Sequence, residues 1–226
     1  SVYLPADFNP VDPDTVLLVH FDGEAYQSEV SVPRILDNMQ ADGVLPQTVA
    51  VLIGNPDMAT RGRELPGSAA FAKAVARDVL EFALKDLGLA VPADRTVIAG
   101  SSFGGLAAVR LALSHPDVFG NVVSMSGSFW WSPKGTAPDR AEYMASRIAA
   151  ADKAEVRFFL SAGLFETARD GDLDILNTNR HLRTVLKAKG YDVTLREYAG
   201  AHDYLVWQGA LSDGLLALFG RPAKEH

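Results

Sequence analysis

The sequence contains no cysteine. Disulfide frameworks, thiolate metal sites and a cysteine nucleophile are therefore excluded. A chain without thiols is indifferent to redox poise, so the compartment stays open between cytoplasm and periplasm. Long apolar runs are missing too. None approaches the ~18 residues of a membrane-spanning helix, and no signal-peptide pattern opens the chain. Positive charge is scarce: Lys and Arg number 21 against 28 Asp and Glu, a formal net charge of −7, with no basic run. Nucleic acid is a poor partner for such a surface. There is no H-E-x-x-H and no His/Cys cluster, so no metal or other cofactor is expected. Internal repeats and low-complexity linkers are lacking as well.

What is present is an ordinary globular mixture, 226 residues with 48% hydrophobic and 22% charged side chains. That suits one domain with its own core. The chain opens SVYLPADFNP, a strand followed by a Pro-rich turn. Because it starts with Ser1 rather than Met, residues 1–226 are expected to be one domain trimmed from a longer precursor. Short apolar runs then alternate with longer helical patterns. Strands are predicted at Thr15–Phe21, Thr48–Gly54, Thr96–Gly100, Asn121–Ser126, Val156–Ala162 and Val193–Ala199. Most are continuously apolar, as strands covered on both faces of a parallel sheet must be. Helices are predicted at Ser68–Leu87, Phe103–Ser114, Asp139–Ala151, Asp174–Lys189 and Tyr204–Leu218. In the first of these, Phe71, Val75, Val79 and Phe82 share a stripe at 3.6-residue spacing. The expected class is α/β, a mostly parallel central sheet with helices on both faces. In such sheets chemistry belongs beyond the carboxyl ends of the strands.

One strand ends in a recognisable pattern. Gly100-Ser101-Ser102-Phe103-Gly104 is G-x-S-x-G between a buried strand and a helix. A serine there sits on a tight, strained turn that lifts its hydroxyl above the sheet, with glycines where strand and helix pass closely. The following helix directs its positive end at Ser102, favouring a developing anion. The plainer alternative is that Ser101 and Ser102 are helix caps.

The base must come from five histidines. His226 is terminal, His115 sits in a helix-end SHPD, His181 lies within a helix, and His20 reads as a core histidine. His202 follows the last strand and precedes the last helix, where the order nucleophile–acid–histidine puts its base. The acid should follow an intermediate strand. Glu166 lies closest to such a strand end, while Asp170, Asp172 and Asp174 suit a helix start. The choice between Glu166 and a nearby Asp stays open. An oxyanion hole needs two backbone donors. One is the Phe103 amide, and the other is expected from the loop after the first strong strand, at Glu24 beside the Asp22-Gly23 turn.

Side chains for a substrate are also suggested. Trp130, Trp131 and Trp207 all fall in segments flanking the proposed site, and aromatic faces suit a planar acyl or catechol group. Arg61 and Arg63 follow the second core strand and suit an anionic group. The alternatives are that Trp130 and Trp131 pack beneath a loop and that Arg63 with Glu64 is a surface ion pair.

The segment Gly100–Trp131, GSSFGGLAAVRLALSHPDVFGNVVSMSGSFWW, resembles the enterochelin esterase family of α/β hydrolases. The shared marks are G-x-S-F-G-G-L, H-P-x-x-F-G and S-x-S-G-S-x-W-W. The resemblance extends to Val16–Gly23, to Arg61-Gly62-Arg63-Glu64-Leu65, to Gly163–Glu166 and to Ala201-His202-Asp203 before Trp207. It implies an α/β-hydrolase fold with Ser102 as nucleophile, His202 as base and, less firmly, Glu166 as acid. It also implies ester hydrolysis of a catecholate siderophore, a small-molecule substrate often loaded with iron. Two positions depart from the family pattern. Ala201 stands where a second glycine is usual, and Ser68 stands where an Asn often follows R-x-x-E-L. The rival readings are a feruloyl- or acetyl-type carboxylesterase, acyl transfer to an alcohol, and a non-catalytic module that captures a siderophore.

Overall fold

The computed structural model describes residues 1–167 and 174–221. Seven strands form one sheet: β1 (Val2–Tyr3), β2 (Val16–Phe21), β3 (Thr48–Ile53), β4 (Thr96–Ser101), β5 (Asn121–Met125), β6 (Arg157–Gly163) and β7 (Val193–Tyr198), in the order β1-β3-β2-β4-β5-β6-β7. Only β1 runs antiparallel, pairing Val2 with Val51 and Tyr3 with Ala50. All other neighbours are parallel. Each predicted strand is present to within a residue or two at its ends.

The two faces follow from the period of two along each strand. Leu17, Val19, Phe21, Ile98 and Val122 point to one face and pack with α4 (Ala69–Asp86), α5 (Phe103–Ser114), α6 (Tyr143–Ala150) and α7 (Ile175–Ala188). Val16, Leu18, Val97, Ala99 and Val123 point to the other, against α1 (Gly23–Ser28), α2 (Val32–Ala41) and α8 (Tyr204–Phe219). A short α3 (Met58–Glu64) follows β3. Both faces are therefore covered, which is why β2, β4 and β5 are buried along their whole length. The edge strand β7 is partly exposed and carries ion pairs from Glu197 to Arg180 and from Arg196 to Asp213, charges that blunt an open edge.

Some local details differ from expectation. The buried stripe of α4 is centred on Ala72, Val75, Ala76, Val79 and Ala83, and Phe82 is only half-buried. Alanines let the helix lie close to the sheet, so the large rings move to its flanks. Ser68 caps this helix, its hydroxyl accepting from the Phe71 amide at 3.1 Å. The sequence reading gives no helix at α1, α2 or α3; α1 and α3 are too short to show a periodic stripe, whereas α2 carries one in Val32, Leu36 and Met39, with Pro33 in its first turn. Among the described residues no helix is long and apolar enough to cross a membrane.

His20 lies inside β2, completely buried. Its Nδ1 bonds the Phe21 carbonyl at 2.6 Å, its ring lies 3.7 Å from that of Tyr26, and Nε2 has no partner. Burial dominates and pushes its pKa down to about 4 from 6.5, against the opposing pull of the Phe21 carbonyl and Asp22. Between those values the unfolded chain holds a proton that the folded chain rejects, so this contribution is complete above pH 6.5 and is lost as pH falls towards 4. The loss is about 3 kcal/mol. Urea denaturation at stepped pH is expected to show this slope, and His20→Gln is expected to lose about one proton's worth of it.

Candidate active site

Four turns at the carboxyl ends of the parallel strands converge. After β4, Ser102 occupies φ 58°, ψ −121°, a conformation L-residues rarely adopt. Its amide donates to the Met125 carbonyl at 2.9 Å, and its own carbonyl accepts from Leu106 and Ser128 at 3.1 Å each. A Cβ on Gly100 would stand 2.6 Å from the Gly104 carbonyl carbon, so no side chain fits where β4 and α5 pass. The Ser102 hydroxyl pairs with that of Ser128 at 3.3 Å.

After β6 and β7 come Glu166 and His202. His202 Nδ1 lies 2.5 Å from Glu166 Oε1. Glu166 Oε2 accepts from the Gly163 amide at 2.6 Å and from the Ser126 hydroxyl at 2.8 Å. Ser126 in turn accepts from the Trp207 indole at 2.9 Å. The carboxylate side chain is 2% exposed, against 39% for the imidazole. A buried carboxylate needs such donors, and each one also fixes its direction. The close approach of the two strand ends requires glycine, since a Cβ on Gly163 would meet the Gly200 carbonyl oxygen at 2.4 Å. The remaining acid candidates divide: Asp174 caps α7 by accepting from the Asn177 amide at 2.6 Å, whereas Asp170 and Asp172 lie outside the described residues, as does His226.

After β2, Asp22 turns the chain into α1 at φ 59°. Arg61 grips its carboxylate with Nε and Nη2 at 2.6 and 2.7 Å, and Asn55 Nδ2 adds a bond at 2.8 Å. Phe103 and Glu24 are the first and second residues of α5 and α1. Amides at those positions have no intrahelical acceptor and are available to an anion.

Ser102, His202, Asp22, Glu24 and Trp207 line one open cleft of 820 Å³, with Met58 and Tyr204 among its apolar walls. Ser102 and His202 share this cleft without a direct hydrogen bond between them. Of the suggested substrate side chains, Arg61 and Trp207 reach the cleft. Both are already engaged, Arg61 with Asp22 and Trp207 with Ser126, and the Trp207 ring packs edge-on against His202 at 4.8 Å. Arg63 points to the surface, donating to Thr60 at 3.1 Å. Trp130 packs on Phe103 at 5.9 Å, and Trp131 lines a different pocket. His115 ends α5 and His181 bonds Glu142 at 2.7 Å, as a helix-end residue and a surface helix residue.

Sequence reading missed Asp22, Ser126 and Ser128 as contributors. The signal was the run of small hydroxyls ending the apolar strand β5, where a core strand has no other use for them. Arg61→Met leaves the largely buried Asp22 with Asn55 alone, and is expected to cost roughly 3 kcal/mol in urea denaturation.

The comparisons agree with this architecture. The chain is similar to the iron(III) enterobactin esterase of Dickeya dadantii (strain 3937), 36% identical over 204 residues covering 88% of this chain and 46% of that protein. It is 34% identical to the iron(III) enterobactin esterase of Escherichia coli (strain K12) over 90% of this chain and 49% of that one. It thus spans about half the length of these curated relatives. The crystal structure of the Shigella flexneri enterobactin esterase in the presence of enterobactin superposes with a TM-score of 0.82 at 31% identity, covering 96% of this chain and 53% of that one. The family described as "Putative esterase" matches residues 1–218, and with the α/β-hydrolase sheet and helices on both its faces, the chain belongs to this esterase family.

Proposed function

We propose that this protein is a serine esterase acting on a catecholate siderophore ester through an acyl-enzyme. The observation that carries the proposal is the Nδ1 bond of His202 to a buried, triply bonded Glu166, in the cleft that also holds Ser102. The carboxylate takes the Nδ1 proton as its partner, so the lone pair at Nε2 faces the cleft. The reaction requires the half-exposed imidazole to turn so that Nε2 meets the Ser102 hydroxyl. Ser102 Oγ then attacks the ester carbonyl as its proton passes to Nε2. The carbonyl oxygen becomes an oxyanion between the amides of Phe103 and Glu24, at the positive ends of α5 and α1. The imidazolium, stabilised by Glu166, returns its proton to the leaving alcohol. Water activated by the same nitrogen releases the acid from Ser102.

The substrate class rests on the similarity to enterobactin esterases together with the cleft walls. Tyr204 and Trp207 offer aromatic surface, and Met58 a polarisable thioether. Charge refines the reading. Asp22, Glu24, Asp57 and Asp203 line the cleft, and among the described residues its one guanidinium, Arg61, already serves Asp22. A catecholate iron complex is strongly anionic and is repelled by such walls, whereas the iron-free ester is not.

Purified protein is expected to hydrolyse iron-free enterobactin with a higher kcat/KM than ferric enterobactin, the gap narrowing as salt is added. Ser102→Ala is expected to lower kcat by about 10³-fold or more. Glu166→Gln is expected to lower it by about 10²- to 10⁴-fold, with a smaller change in KM. Hydrolysis of methyl ferulate alone would move the substrate to simple aryl esters. Absence of Ser102-dependent turnover on all three would overturn the esterase reading and favour a binding module.

A further inference from the structure

A second pocket opens beside the C-terminal part of α5, where Arg110, Ser114 and His115 line it. It encloses 330 Å³, within the range of small-molecule sites, and shares no lining residue with the cleft. Two guanidiniums, Arg110 and Arg147, two rings, Trp131 and Tyr143, and the polar Ser114 and His115 form its walls. Among the described residues no carboxylate lines it.

Arg110 is unusual. It projects from α5 into the interior and is only 7% exposed. Its Nη2 donates to the carbonyls of Leu65 and Ser68 at 3.3 and 3.1 Å, while buried Nε has no partner. A buried guanidinium without an anion is costly, because its desolvation is uncompensated. Nearby Arg147 adds repulsion to that desolvation, both lowering the pKa of Arg110. Arg147 lies 5.8 Å from the Tyr143 ring centre, and among the described residues it makes no ion pair. Asp152 borders the small recess behind both arginines and pairs with neither. Elsewhere the fold satisfies its buried charges: Asp22 and Arg61 pair, and Glu166 accepts three bonds. Two adjacent cations beside one cavity, one of them buried with an idle donor, are therefore matched to an anion from outside. The rings select what carries it. Trp131 and Tyr143 meet edge to face with centroids 6.3 Å apart, a corner into which a flat ring packs.

We propose that this pocket binds an aryl carboxylate, its carboxylate between Arg110 and Arg147 and its ring against Trp131 and Tyr143. Guanidinium–carboxylate pairing in a partly dehydrated pocket supplies the charge-assisted bonds that Arg110 lacks.

The chain has three Trp, so their indole N–H signals can be assigned by single Trp→Phe changes in ¹⁵N-labelled protein. Titration with benzoate is expected to shift the Trp131 signal saturably and leave that of Trp207, in the cleft, unmoved. Acetate is expected to bind at least tenfold more weakly. Arg147→Met, at an exposed position that folding tolerates, is expected to weaken benzoate at least tenfold, and Arg110→Met to abolish it if that variant folds. Shifts at Trp207 alone, equal binding of acetate, or undiminished binding by Arg147→Met would each overturn the proposal. These readouts do not involve turnover, so they stand or fall separately from the esterase reading.

Discussion

The backbone of one residue, Ser102, sets the geometry on which the rest of the site depends. Holding a non-glycine residue at φ 58°, ψ −121° costs about 1–3 kcal/mol and persists only where the surroundings leave no alternative. Here they leave none. The amide is bonded across to β5, the carbonyl is taken by α5 and by Ser128, and the glycine contact at 100 and 104 locks strand to helix. The strain turns the serine hydroxyl out of the sheet and places the Phe103 amide at the start of a helix. Both consequences follow from a single dihedral pair.

The end of β5 ties the Ser102 turn to Glu166 and His202. Met125 receives the Ser102 amide, Ser128 meets the Ser102 hydroxyl, and Ser126 bonds Glu166 while accepting from Trp207. Ser126 itself has φ 48°, a second residue in the left-handed region at this site. Asn179 on α7 holds this segment by donating to the Gly127 carbonyl at 2.8 Å. Four residues thus connect β4, β6, α7 and α8 through hydrogen bonds in a buried, low-dielectric setting, where each bond is stronger and each loss more expensive. Trp207 acts here as a hydrogen-bond donor and a wall for the imidazole.

Charge is distributed unevenly. The chain as a whole is acidic, and the cleft follows it, with the one arginine that lines it among the described residues bound to Asp22. Two arginines without an ion pair among the described residues, Arg110 and Arg147, instead line the second pocket beside the C-terminal part of α5. An anionic molecule approaching this protein is repelled by the cleft and attracted to the second pocket. The two cavities are joined by a short span of chain, since the Trp131 amide donates to the Ser128 carbonyl at 3.0 Å.

Sequence alone determined every core strand and most of the long helices, and it pointed to candidate site residues through local pattern. Apolar runs such as VLLVHF and TVAVLI could only be strands covered on both faces, and G-x-S-x-G between strand and helix named Ser102 because a tight turn needs glycines at fixed offsets. His202 became a candidate from its place after the last strand, while the sequence left Glu166 and the neighbouring Asp residues as alternatives. Tertiary structure alone decided the partners. Arg61 and Asp22 lie 39 residues apart and Trp207 and Ser126 81 apart, separations at which no period or motif carries information. The same holds for Arg110, which reads as one polar interruption of an apolar helix. Only the packing of α5 against the loop at Leu65 and Ser68 buries it, and only the arrival of α6 sets a second arginine beside it. Local sequence governs dihedrals and exposure patterns, whereas which charge meets which depends on where the sheet order brings distant strand ends together.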